Sequence, residues 1–213
     1  MNDFSWLIDK LYYLPGVFIG LSFHEFSHAY AAYLMGDNTA KDAGRLTIDP
    51  RSHIDILGFI TLLVAGFGWA KPVPINPWNF KKRKAGTIIV SLAGPIMNLF
   101  LAFIALFIIF SFQIFGWNNE VLLNIVIGIY YVNISLFVFN LLPIPPLDGS
   151  KILASVLPEQ LEEKFYAIEK YSYLILIMLM VTKTLNYILD PLFSGTTTLL
   201  QSLVINIIGI FYK

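Results

Sequence analysis

The sequence predicts an all-α polytopic membrane protein of about five to six transmembrane helices, with a re-entrant or short β-like segment around residues 40–80. Three observations carry that prediction. Of 213 residues, 57% are hydrophobic and 13% charged, against roughly 45–50% and about 25% in soluble domains, and the mean hydropathy is +0.70. Apolar runs nearly free of charge recur at 11–34, 54–70, 85–112, 121–142 and 171–189, and a bilayer span needs about 20 such residues. No repeat, linker or low-complexity segment divides the chain, so residues 1–213 read as a single membrane-embedded domain.

The first run, Leu11 to Leu34, is roughly 36 Å long at about 1.5 Å per residue. It is too long for the apolar core of a secretion signal, lacks a basic segment in front, and carries ionisable residues in its own body, so it reads as a retained span. Gly36, Asp37 and Asn38 stop it. Lys41, Arg45 and Arg51 follow, whereas only Lys10 precedes it beside Asp3 and Asp9. The positive-inside rule therefore runs this span from outside to cytoplasm.

The run 54–70 contains Gly58, Gly66 and Gly68 and has basic residues on both sides. A full crossing would strand Lys71 and the block Lys81-Lys82-Arg83-Lys84 outside. A re-entrant segment, its backbone covered by protein or water, avoids that conflict, and a short span is the alternative. Residues 85–112 then return outward, and the turn 113–120 has no Lys or Arg. From Val121 the chain comes back in and breaks at "NLLPIPPLDG", where Pro143, Pro145 and Pro146 cannot all continue a helix. The core spans are thus 11–34, 85–112 and 121–158, with 171–189 an accessory span and 196–211 inserting or lying along the surface.

Zero cysteines exclude disulfides and thiolate metal sites. The basic block has no aromatic interleaving and reads as a membrane-flanking anchor, not a nucleic-acid site. Chemistry concentrates instead in "HEFSH", where His24, Glu25 and His28 interrupt the first span. Positions four apart share a helix face with Cβ atoms roughly 5–6 Å apart, so two imidazoles can chelate one zinc while the intervening Glu reaches a zinc-bound water. Each ionisable residue at mid-bilayer costs about 2.5–3.5 kcal/mol on insertion scales and marks function by default. A catalytic zinc needs one more protein ligand, for which the sequence offers His53, Asp148 and the loop carboxylates. Asp148 follows the proline break, where a helix N-cap is the plainer alternative. It shares a depth with His24 and His28 only if one crossing, 85–112, separates the two spans, which is the topology the charge bias already gives. His53 reads as interfacial, beside Arg51 and Asp55.

"HEFSH", "AGPIMN" at Ala93–Asn98 and "NLLPIPPLDG" at Asn140–Gly149 resemble the site-2 protease family of intramembrane zinc metalloproteases. Asn140, Pro143, Leu147, Asp148 and Gly149 match that family's Asn-x-x-Pro-x-x-x-Leu-Asp-Gly pattern, and "FGWAKPVPINP" resembles its short subgroup without PDZ or nucleotide-binding appendage. The resemblance implies one Zn2+ per chain on His24, His28 and Asp148, Glu25 as catalytic acid/base, and Asn140 in contact with substrate or the developing oxyanion. Holding carbonyls freed by Pro143 is the other role open to Asn140. The implied reaction is hydrolysis of a peptide bond in or near a transmembrane helix of a membrane protein, such as an anti-sigma factor or precursor peptide. The implied setting is the lipid bilayer of a bacterial plasma membrane, active site toward the cytoplasm. An inactive adaptor or a metal-transporting relay would share the ligands. An intact Glu25 argues against the first, and polar residues confined to one depth argue against the second.

Overall fold

The structure is a computed structural model describing residues 5–66 and 68–211. It is helical throughout: α1 (Ser5–Met35), α2 (Thr39–Asp42), α3 (Pro50–His53), α4 (Ile56–Ala65), a 3-10 turn (Pro77–Asn79), α5 (Arg83–Phe115), α6 (Glu120–Asn140), α7 (Asp148–Val156), α8 (Glu159–Glu169), α9 (Ser172–Val181) and α10 (Thr184–Phe211). Among the described residues three helices are long and apolar enough to cross a membrane: Arg83–Phe115, Glu120–Asn140 and Thr184–Ile210. At 31 residues α1 is as long, but Ser22, His24, Glu25, Ser27 and His28 are all buried along it and lower its hydropathy.

Helices α1, α5 and α6 pack on one another and form the centre of the molecule, with α7 against α5 and α10 against α5 and α6. Where α1 crosses α6, glycine meets glycine: a Cβ at Gly16 would lie 2.9 Å from the Gly128 carbonyl oxygen, and one at Gly128 would run into the Tyr12 carbonyl. Small residues let the two backbones approach this closely. Further along, Ala102, Ala105 and Leu106 of α5 interlock with Val126, Tyr130, Ile134 and Val138 of α6 and with Leu200 and Val204 of α10. The polarity is inverted relative to a soluble protein. Ile56, Leu57, Val64, Ile89, Phe100 and Leu174 face outward, while Asn98, Asn133 and Asp148 are buried. An apolar exterior of this extent suits lipid.

Two of the apolar runs are interrupted. Within 54–70 only ten residues are helical, about 15 Å at 1.5 Å per residue and half the roughly 30 Å hydrocarbon core. Asp55 caps the start by accepting from Gly58 N at 2.9 Å, Gly66 closes the end in the left-handed region at φ 74, and the chain returns so that Ile54 bridges Ala70. Among the described residues that bridge is the whole of the β-like structure expected around 40–80. The run 171–189 is divided. The last turn of α9 tightens, with Lys183 N donating to Met180 O at 3.0 Å, and Lys183 turns left-handed at φ 57. A new helix then begins at Thr184 and absorbs 196–211.

Asp37, fully buried just past α1, ties the loops to this frame. Its carboxylate accepts from Thr39 N at 3.1 Å, from the Thr39 hydroxyl, from Asn76 N at 2.7 Å and from Asn79 Nδ2 at 2.7 Å. Burial works against the charge, but these donors outweigh it and keep the carboxyl below the ordinary range. A carboxyl with a depressed folded pKa contributes stability above its unfolded value, about 3.9, and loses it as pH falls toward the folded value. Asp37→Asn should therefore unfold at lower temperature than wild type at pH 7, by an amount on the order of 1–3 kcal/mol. The gap in detergent melting temperature should shrink below about pH 4, and a gap independent of pH would contradict this account.

Candidate metal centre

On α1, His24 and His28 stand one turn apart with their rings perpendicular at 4.5 Å. The chain brings Asp148 to them through the proline break: α6 ends at Asn140, the turn 141–147 follows, and Asp148 is the first residue of α7. Its carboxylate does not cap that helix. Oδ2 lies 3.2 Å from His24 Nε2 and 3.1 Å from His28 Nε2, the two Nε2 atoms are 3.0 Å apart, and Oδ1 faces Lys151 Nζ at 3.5 Å. His24, His28 and Asp148 are each 5% exposed.

The outer ring atoms decide what faces inward. His28 Nδ1 lies 2.7 Å from the Val90 carbonyl, which can only accept, so Nδ1 carries the hydrogen and Nε2 presents a lone pair. Val90 lies next to the point where α5 is loosened, since Pro95 inside that helix has no N–H for the Ser91 carbonyl. His24 Nδ1 makes a matching 2.7 Å contact with Asn98 Oδ1. Two imidazole Nε2 atoms and a carboxylate oxygen thus converge at separations that a shared proton or a bound metal ion can bridge. Neighbouring ligand atoms on a tetrahedral zinc, with bonds of about 2.0–2.2 Å, lie about 3.3 Å apart, close to the separations here. The three residues fit a zinc ion.

Glu25, 8% exposed, lies beside the ligands and accepts from Val73 N at 2.8 Å. Next to the ligands a cavity of about 180 Å³ opens, lined by His28, Asp148 and Lys151 on one side and by Val73, Ile75 and Phe80 on the other. A buried carboxylate beside a cation site that opens to such a cavity can deprotonate water. Asn140 lies at the end of α6 with Nδ2 donating to Leu136 O at 3.0 Å, within its own helix. His53 is away from the cluster and fully buried, with Nε2 2.6 Å from Thr47 O.

Sequence reading passed over two participants. Val73 contributes only a main-chain N–H, which no side-chain pattern reveals. Asn98 had a signal: it is an amide inside an apolar run, four residues after Gly94 and so on the same helix face. Gly94 itself makes room for the imidazoles, because a Cβ there would lie 2.5 Å from His28 Nε2 and 2.6 Å from His24 Cε1. Gly94→Ala should weaken zinc affinity by roughly tenfold or more, as disturbed ligand orientation does elsewhere, in a protein that still folds. Gly195→Ala, whose Cβ meets nothing within 4 Å, should bind zinc like wild type. Competition against a chromogenic chelator measures both, and equal affinities would contradict the packing argument.

The chain is similar to known proteins over most of its length. Residues 116–182 match the profile of Peptidase family M50. "Putative zinc metalloprotease YwhC" of Bacillus subtilis is 39% identical over 189 residues, which cover 86% of this chain and 86% of that protein. Proteins named "Putative zinc metalloprotease Rip2" from Mycobacterium tuberculosis and Mycolicibacterium smegmatis are 33% and 30% identical, each match covering 81% of this chain and 68% of the relative. No solved structure gives a significant match. This chain belongs to peptidase family M50, the zinc metalloproteases of site-2 type.

Proposed function

We propose that the protein is an intramembrane zinc metalloendopeptidase that hydrolyses a peptide bond in or near a transmembrane helix of a membrane protein substrate. The observation that carries this reading is the convergence of His24 Nε2, His28 Nε2 and Asp148 Oδ2 within 3.0–3.2 Å beside Glu25. In this reading α1 is a span in addition to the three most apolar helices. Its 31 residues reach about 46 Å at 1.5 Å per residue, and its costly polar groups lie on the protein-facing side. The ten-residue α4, whose ends return to one another through Ile54 and Ala70, supports a re-entrant segment. Basic residues after α1 and between α4 and α5 put the site toward the cytoplasm.

His24, His28 and Asp148 would hold the zinc. When bound, zinc supplies Lewis acidity that lowers the pKa of water toward about 7 and polarises a carbonyl. Glu25 takes a proton from the attacking water as the new C–O bond forms, and returns it to the amine nitrogen as the C–N bond breaks. One water is consumed and no redox change occurs. Lys151 balances the second oxygen of Asp148. Asn140 has two amide hydrogens, one of them on Leu136 O, and the other is available to a substrate carbonyl.

A helical substrate hides its peptide bonds and must unwind before attack. Val73 and Ile75 of the non-helical segment 71–76 line the cavity, and the segment is suited to take up an unwound strand. Pro72 and Pro74 have no N–H and the Val73 N–H is on Glu25, so the segment offers such a strand mainly carbonyl acceptors. The substrate would be a single-span regulator, such as an anti-sigma factor, or a precursor peptide.

Glu25→Gln should retain zinc and lose cleavage of any single-span substrate the wild type cuts, by about 10²–10⁴-fold, the range for a general acid/base. The same inactive variant carrying Ile75→Cys should crosslink to a cysteine near the substrate's cleavage site. Full cleavage by Glu25→Gln with zinc bound would reject the acid/base role, and no crosslink in the inactive variant, to a substrate that Ile75→Cys alone still cleaves, would reject strand addition.

A further inference from the structure

Asn98 is fully buried in the middle of α5, and every hydrogen-bonding direction around it is fixed. Its Nδ2 donates to Gly20 O of α1 at 3.0 Å and to Asn133 Oδ1 of α6 at 2.9 Å. Asn133, also fully buried, passes the polarity on, its Nδ2 donating to Ile129 O at 2.8 Å. Both ends of this network are main-chain carbonyls, which cannot donate. Reversing the Asn98 amide would set its oxygen against the Gly20 carbonyl and turn its NH2 toward His24. The amide therefore has one orientation, with Oδ1 on His24 Nδ1 at 2.7 Å, and His24 must supply the hydrogen at Nδ1.

We propose that Asn98 is a positioning residue for the metal site: by accepting from His24 Nδ1 it fixes the imidazole tautomer and ring plane, so that the Nε2 lone pair faces His28 and Asp148. The inference rests on the zinc reading and deepens it. Histidine ligands elsewhere are oriented by an acceptor on the second ring nitrogen, and loss of that acceptor costs about 10–100-fold in metal affinity. What distinguishes this acceptor is its anchoring. Gly20 lies one turn before His24 on the same helix, so Asn98 is referenced to the very backbone that carries the ligand.

The test is zinc affinity by chelator competition on the full-length protein in detergent, with the absorption spectrum of the cobalt-loaded protein alongside. Asn98→Ala should weaken zinc binding by about 10–100-fold and alter the cobalt ligand-field bands. Asn98→Asp keeps an acceptor toward Nδ1 but sets its second oxygen against Gly20 O and Asn133 Oδ1, so it should recover only part of the affinity. Asn133→Ala leaves Gly20 to orient the amide and should stay within about threefold of wild type, since most of the second-shell effect is preserved. Independently of any variant, zinc-loaded wild type labelled with 15N-histidine should show the His24 proton on Nδ1, and with three histidines in the chain the assignment is tractable. A proton on Nε2, or unchanged affinity and cobalt bands in Asn98→Ala, would overturn the proposal. Wild type that takes up no zinc would overturn the metal reading itself, which separates the two failures.

Discussion

Two imidazole nitrogens and a carboxylate oxygen lie within 3.2 Å of one another, a grouping whose lone pairs need a proton or a metal ion to bridge them. The rest of the structure follows from holding that triangle. It cannot be assembled locally, because Asp148 is 120 residues from His28. It needs α1 and the α6–α7 break in register, with α5 packed against both. The crossing of Gly16 over Gly128 brings the α1 and α6 backbones close. Gly94 admits the rings, and the loosened ladder at Pro95 lies beside the Val90 carbonyl that takes the His28 hydrogen.

A second layer of polar contacts carries the same constraint outward. Asn98 and Asn133 link three helices through buried amides whose donors and acceptors all have partners, and in a low-dielectric interior satisfied networks of this kind rigidify while unsatisfied ones are costly. At the end of α1, Asp37 gathers Asn76 and Asn79 and so fixes the far end of the segment whose Val73 N–H meets Glu25. In the proposed reading the site therefore has two supports: a helical one for His24, His28 and Asp148 and a loop-borne one for Glu25.

How much of this was legible in the sequence depended on distance along the chain. The pairing of His24 with His28 follows from helical spacing alone, and the break before Asp148 follows from three prolines in four positions (Pro143, Pro145, Pro146). The choice of Asp148 over His53 needed family resemblance at first and coordinates afterwards, since His53 is buried among its own loop. The division of 171–189 was invisible because apolar composition is the same on both sides of Lys183, and a left-handed turn at one lysine leaves no compositional trace. The Val73 contact to Glu25 was equally hidden, being a main-chain donor 48 residues away. Asn98 could have been read: an amide has few reasons to sit inside an apolar span except to bond something there.

The most direct measurement is zinc per chain in detergent-purified protein, wild type beside Asp148→Ala. Stoichiometry close to one in wild type, with the metal lost or readily stripped in the variant, is the expected result and would join two motifs separated by the whole central part of the chain into one centre. Wild type without zinc, or a variant that retains it as tightly, would contradict the account.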